Sequence, residues 1–245
     1  MELKGKVALI TGAAVGIGRA TAILMAERGA SLVLVDIDGK GLENLKAELG
    51  KYNTDVLTFV CDVSDEMTVY TTVKKAEDHF GKIDVMVNNA ALWRCWSSFV
   101  ETSTDEWKKY LDVNIMGVVY FTKAVLPKMI ENHYGRIVNV ASVAGVYGNA
   151  NMVHYSATKG ALISMTKALA KEVSADGVIV NAVSPGSVSP SDNNDIDYTE
   201  ESALSFIGRT GSGRENAELI CFLASDAAGY ISGQNIQIDG CRKKQ

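Results

Sequence analysis

Histidine, proline and cysteine are scarce in this chain: three, three and four residues of 245. His79, His133 and His154 stand far apart, so a histidine-rich metal centre is not expected. Cys61, Cys95, Cys221 and Cys241 form no C-x-x-C pair and have no histidine at ligand spacing, which reads as reduced structural thiols. No metal is therefore expected. A long basic block is absent as well: 24 basic against 29 acidic side chains leave a formal charge of -5, and nothing attracts a polyphosphate backbone. Nucleic acid is not an expected partner. The opening MELKGKVALITG has an apolar run far too short to span a bilayer and no cleavage region, so a cytoplasmic protein without membrane contact is expected.

What is present is globular material, 47% hydrophobic and 22% charged, enough at this length for one domain with a substantial core. Short β-branched runs alternate with longer segments of helical period. KVALIT precedes a helix from Gly16 to Arg28, SLVLVD one from Lys40 to Tyr52, and DVLTFVCD one from Glu66 to Phe80. IDVMVNN precedes a long helix over about Thr104 to Asn132, GRIVNVAS one from Val153 to Ala175, and VIVNAVSP and NIQID complete seven strands. Strict alternation predicts an α/β fold: a doubly wound parallel sheet of about seven strands with helices on both faces. The strands read as continuous apolar runs, as strands buried on both sides do. Ser103-x-x-Glu106 reads as a capping box, and Gly81 and Gly177 mark two helix ends. One stretch breaks the rhythm. Residues 187–213, SVSPSDNNDIDYTEESALSFIGRTGSG, are polar and acidic and read as a lid in a single domain spanning 1–245. Its acids, among them Asp192, Asp195, Asp197, Glu200 and Glu201, read as solvated.

The stretch ITGAAVGIGRAT follows the first strand and opens the first helix. A glycine turn there presents free backbone N–H groups and the positive end of the helix dipole, which suits a pyrophosphate, and Gly12, Gly16 and Gly18 let backbone and helix approach closely. Asp36 ends the second strand, where a carboxylate can accept hydrogen bonds from the adenosine ribose. The same charge repels a ribose 2′-phosphate, and neither Val15 nor Ile37 offers a cation to offset it. NAD is expected over NADP.

In SVAGVYGNANMVHYSATKGA, Tyr155 and Lys159 are four residues apart and project from one helix face. A free phenol is ionised in only about one molecule per thousand at pH 7. A neighbouring ammonium favours the phenolate, which makes tyrosine a usable general base for an alcohol or general acid for a carbonyl. Ser142 sits at the carboxyl end of the preceding strand, the edge where parallel sheets hold ligands.

With these motifs in place the chain resembles the short-chain dehydrogenase/reductase family, from Lys6 to Gly240. The family's T-G-x-x-x-G-x-G appears as Thr11-Gly12-Ala13-Ala14-Val15-Gly16-Ile17-Gly18, its adenine-side pair as Asp62-Val63, and its N-N-A-G as Asn88-Asn89-Ala90-Ala91. Its catalytic tetrad maps onto Asn114 in LDVNIMG, Ser142 in VASVAG, and Tyr155 and Lys159 in YSATK. The resemblance implies a Rossmann-type fold with cofactor contacts from the glycine turn, Asp36, Ile37, Asp62, Val63 and Asn89. Further contacts follow from Tyr155, Lys159 and the segment Pro185-Gly186-Ser187-Val188-Ser189. It implies that Tyr155 exchanges a proton with the substrate oxygen, Ser142 orients that oxygen, and Lys159 binds the nicotinamide ribose and depresses the tyrosine pKa. Asn114 is expected to hold a water linking Lys159 to solvent. A homotetramer or homodimer through the helices around 104–132 and 153–175 is implied too. Three departures stand out: Ala91 for glycine, Ser189 for the usual threonine, and Pro190-Ser191 opening an acidic lid.

Trp93, Trp96, Tyr147, His154 and Phe206 flank these motifs and can line a pocket for a bulky, largely apolar secondary alcohol or ketone of steroid, terpenoid or aryl type. Subunit packing or loop anchoring explains them equally, and Arg94 suits an acidic substrate group. The alternatives are an NADPH-preferring 3-oxoacyl or small-carbonyl reductase, a cofactor-binding regulatory protein without turnover, and a sugar-nucleotide epimerase. The short C-terminal region after Lys159 argues against the last.

Overall fold

The computed structural model describes residues 2–189 and 195–243; Pro190, Ser191 and Asp192 of the expected lid lie outside the described residues. Seven strands form: β1 Val7–Thr11, β2 Ser31–Asp36, β3 Val56–Val60, β4 Val85–Asn88, β5 Gly135–Val140, β6 Val178–Pro185 and β7 Asn235–Ile238. They make one all-parallel sheet in the order β3-β2-β1-β4-β5-β6-β7. The helices are α1 Gly16–Glu27, α2 Gly39–Leu49, α3 Glu66–Phe80, α4 Thr104–Leu111, α5 Gly117–Glu131, α6 Ala144–Tyr147, α7 Val153–Val173 and α8 Gly213–Ala224.

Successive strand residues face opposite sides, and both sides are buried. Ala8, Ile10, Leu32 and Leu34 enter a core shared with α1, α2 and α8, while Val7, Leu9, Val33 and Val35 enter a second core with α3, α5 and α7. The expected doubly wound sheet is thus present. Its order reverses between β1 and β4, where Ile10 pairs with Leu34 on one side and Val87 on the other. Parallel sheets bind ligands at the carboxyl edge of such a switch point.

Local signals explain most ends. Asp38, Asp65 and Ser103 accept hydrogen bonds from first-turn amides of α2, α3 and α4. Gly81 and Gly177 close helical segments with φ of 76° and 80°, a conformation that favours glycine. Two elements differ from expectation. The long helix over about 104–132 is interrupted by one π-helical turn, Asp112–Met116. And α8, absent from the sequence reading, begins on a complete capping box in which Ser212 and Glu215 bond reciprocally; it buries Ala217, Ile220 and Leu223.

Candidate active site

β1 ends at Thr11 and the chain turns directly into α1. Gly16 has φ of 57°, open to glycine and strained for other residues. The other two motif glycines answer to the protein itself. A Cβ on Gly12 would lie 2.9 Å from Ala90 Cα, and one on Gly18 only 2.0 Å from the Gly12 carbonyl oxygen. Asn89 staples the turn: its Nδ2 donates to the carbonyls of Thr11 and Gly12, both at 3.0 Å. Thr11 Oγ1 accepts the amides of Asn89 and Ala90 at 3.1 Å, so the β1 and β4 ends are locked together. The N-cap of α1, Val15, makes no side-chain cap, and no acid occupies the first turn. The first amides of α1 therefore keep their positive end for a ligand, and the donor set fits a pyrophosphate.

At the edge beside this turn, Asp36 Oδ2 accepts the Ala14 amide at 2.9 Å and Oδ1 accepts the Asp38 amide at 3.0 Å. Each oxygen keeps acceptor capacity for a ribose hydroxyl. Val15 and Ile37 beside it are 50% and 72% exposed. Asp62 turns one oxygen onto Ser64, while Val63 is buried where a Cβ on Gly117 would strike it at 2.8 Å. Ile17 packs against the α1 side of the core.

The polar group at the β5 edge comes from two helices packed backbone to backbone. Gly145 in α6 lies so close to α7 that a Cβ there would stand 2.5 Å from the Lys159 carbonyl carbon. Lys159 is buried, and its Nζ donates to the Val140 carbonyl at 2.6 Å. Burial pushes its pKa down to about 8. Tyr155 is partly buried, its ring centroid 5.8 Å from Nζ. Burial raises the phenol pKa and hydrogen bonding by Ser142 opposes the rise. The depression expected from Lys159 is absent, because the ammonium is turned to Val140 and burial dominates. Ser142 Oγ accepts the Ala144 amide at 3.1 Å.

Asn114 lies in the π turn and is fully buried. Its Nδ2 donates to the Leu92 carbonyl at 3.0 Å and to Thr158 Oγ1 at 3.1 Å, and its Oδ1 accepts the Leu92 amide at 2.8 Å. Thr158 in turn donates to the Tyr155 carbonyl at 2.8 Å. The Asn114 side chain thus fixes the β4 loop against α7.

The residues expected around substrate divide. Trp93 and Trp96 are 48% and 67% exposed on the loop after β4, with the Arg94 guanidinium 5.0 Å from the Trp93 ring centre. Tyr147 is exposed and donates to Gln237 Oε1 at 2.6 Å. His154 is a correction: at 1% exposure, with Tyr110 edge-on at 4.0 Å, it lies behind the wall and not on it. One residue along a helix from Tyr155 rotates the side chain by about 100°, toward the core. Pro185 and Gly186 end β6 against β7, where a Cβ on Gly186 would meet Asp239 Cα at 2.8 Å. Val188 bridges Gly211, and Ser189 Oγ lies 2.7 Å from Thr210 Oγ1, so the two ends of the lid are pinned to each other.

A buried polar chain behind the site is absent from the sequence reading. Asn88 Nδ2 donates to Asn139 Oδ1 at 2.9 Å and to Thr122 Oγ1 at 3.2 Å, and Asn139 Nδ2 donates to Thr166 Oγ1 at 2.9 Å. It ties β4 and β5 to α5 and α7. The available signal was an asparagine inside each of two otherwise apolar strands, which burial obliges to find partners.

The free amides of the turn and the acceptors of Asp36 suit a dinucleotide, and Ser142, Tyr155 and Lys159 stand together at the neighbouring edge; the class this defines is a nicotinamide-dependent oxidoreductase. Residues 6–201 match the family model for short chain dehydrogenase, and the chain belongs to that family, whose members act on CH–OH or ketone groups. It is 42% identical over 98% of both chains to the 3-oxoacyl-(acyl-carrier-protein) reductase FabG of Thermotoga maritima, and 37% identical over the same shares to that of Vibrio harveyi. Among solved structures, NAD⁺-bound xylitol dehydrogenase is similar at TM-score 0.90 and 32% identity, covering 98% of this chain and 100% of that one. Levodione reductase is similar at TM-score 0.90 and 34% identity, covering 97% of each.

Proposed function

We propose that this chain is an NAD-dependent oxidoreductase that transfers a hydride between the cofactor and a secondary alcohol or ketone with a large, mostly apolar body. The observation that carries the cofactor choice is Asp36, held at the β2 edge between an exposed valine and an exposed isoleucine. A second negative charge on the ribose would meet that carboxylate with no cation at position 15 or 37. The α1 amides hold the pyrophosphate, Asp36 the adenosine ribose, and Lys159 the second ribose. Bound nicotinamide supplies the hydride carrier. Tyr155 gives or takes the substrate proton, and Ser142, whose hydroxyl favours the ionised phenol, holds the substrate oxygen. Trp93 and Trp96 supply apolar surface at the entrance.

We read residues 1–245 as one domain with a lid over 187–213, located in the cytoplasm. The apolar stretch Thr104–Glu131 has the length of a membrane span, yet Phe121, Val125 and Met129 pack into the core, which supports a soluble assignment. Association of two or four copies through α4–α5 and α7 belongs to the same proposal; Leu111 and Val153 are apolar and exposed there.

The reductase names carried by relatives of 42% and 37% identity favour a second reading, reduction of 3-oxoacyl thioesters with NADPH. One panel separates the two: NADH formation from NAD⁺ with polyols, aryl alcohols and hydroxysteroids, and NADPH or NADH oxidation with 3-oxoacyl thioesters. Turnover confined to the thioesters would replace the first reading with the second. Tyr155→Phe is expected to lower kcat by about 10²–10⁴-fold while NADH still binds. Equal turnover in that variant would remove Tyr155 from the chemistry.

A further inference from the structure

Behind the pocket wall, apart from Ser142, Tyr155 and Lys159, three metal-ligating side chains from three segments converge. Cys95 comes from the loop after β4, Glu106 from the first turn of α4 and His154 from the first turn of α7. The thiol sulfur, a carboxylate oxygen and an imidazole nitrogen all lie within 4.8 Å of one another. Their separation along the chain hides them from any reading of ligand spacing.

The imidazole is the informative member. His154 is almost wholly buried, and its Nε2 has no hydrogen-bond partner. Buried polar atoms are nearly always satisfied, so an orphaned nitrogen on a ring that also reaches a thiol and a carboxylate asks for an occupant. Tyr110 edge-on at 4.0 Å and Trp107 at 6.0 Å hold the ring in place. Cys95 and Glu106 are both partly exposed, which leaves an entry path.

We propose that Cys95, Glu106 and His154 bind one divalent cation of the zinc class. Sulfur, nitrogen and oxygen from three side chains are a donor set that zinc accepts in tetrahedral geometry, with the fourth position left to water. Magnesium and calcium, which demand oxygen ligands, are excluded by the same set. Binding replaces the Cys95 S–H proton by the metal and releases that proton to solvent. The occupied site ties the Trp93–Trp96 segment to α4 and to the turn of α7 that carries Tyr155. Metal therefore fixes the entrance wall without touching the reacting atoms.

The test is a titration of the full-length, chelator-stripped protein with Co²⁺, followed by Zn²⁺ competition. The expected result is a cobalt–thiolate charge-transfer band with tetrahedral visible bands, saturating at one ion per chain and erased by Zn²⁺ but not by Mg²⁺. Cys95→Ser is expected to abolish the thiolate band. Glu106→Gln is expected to keep the band and to weaken zinc binding by about tenfold or more. Circular dichroism of both partly exposed variants checks that the fold is intact. Absence of a thiolate band in the parent protein, or zinc affinity unchanged in both variants, would overturn the proposal.

Discussion

A buried lysine ammonium is costly, and Lys159 is buried with the Val140 carbonyl as its hydrogen-bond acceptor. The unfolded chain binds the proton with the ordinary pKa of 10.5, the folded chain with one of about 8. Folding therefore carries the full cost below pH 8, and the cost is relieved as the pH rises toward 10.5. Lys159→Met is expected to stabilise the fold at pH 7 by about 1–3 kcal/mol, after allowing for the lost Val140 bond, while turnover disappears. Thermal unfolding checks it: the gain over the parent should narrow toward pH 10. A destabilised Lys159→Met would show that the ammonium is well solvated. At this scale the sequence made residue types and spacing legible, hence Ser142, Tyr155, Lys159 and Asp36. It hid environment. Spacing alone suggests that Lys159 lowers the Tyr155 pKa, whereas burial raises it, and spacing cannot show that His154 points away from the cleft.

Among the elements, the strand–helix alternation was legible because period and composition change at every boundary. The π turn was not, since Asp112–Met116 carries helical period; the insertion shows only in the backbone bonds around Asn114. α8 was legible in principle, through Ser212, Glu215 and the apolar positions that follow, but it is contiguous with an acidic stretch that masks its start. The contact between α6 and α7 has no sequence signature beyond Gly145 itself. Gly145→Ala forces a methyl to 2.5 Å from backbone that cannot rotate away. The expected cost is about 1–3 kcal/mol of stability, with kcat falling and the NADH dissociation constant rising, because the displaced turn carries both Tyr155 and Lys159, the side chain assigned to the second ribose. Denaturant midpoints and steady-state kinetics check this; unchanged kcat would mean that the helices part without moving the tyrosine.

For the molecule as a whole, the sheet edge, the lid and the cofactor must act together. The end of the described lid is fastened to α8 by a two-bond pair: Arg209 Nη1 and Nη2 donate to Glu215 Oε2 and Oε1 at 2.9 and 2.7 Å. The Arg209 guanidinium, helped by the Ser212 amide, holds the Glu215 pKa down to about 2. A carboxylate pKa lowered by folding adds stability that is complete above the ordinary value of 4.5 and is lost as the pH falls through 2. Glu215→Gln is accordingly expected to melt below the parent from pH 7 to 4.5, with the deficit closing toward pH 2. A constant deficit would assign the loss to the capping box instead.

The cofactor choice links all three scales, because one side chain at a strand end decides which dinucleotide the switch-point edge accepts. The decisive measurement is kcat/KM with NAD⁺ against NADP⁺ on one turned-over alcohol, for the parent and for Asp36→Ala combined with Ile37→Arg. The parent is expected to favour NAD⁺ by roughly tenfold or more, at least about 1.4 kcal/mol, and the double variant to reverse the preference. A parent that prefers NADP⁺ would contradict the reading of Asp36 and turn the assignment toward the 3-oxoacyl reductases.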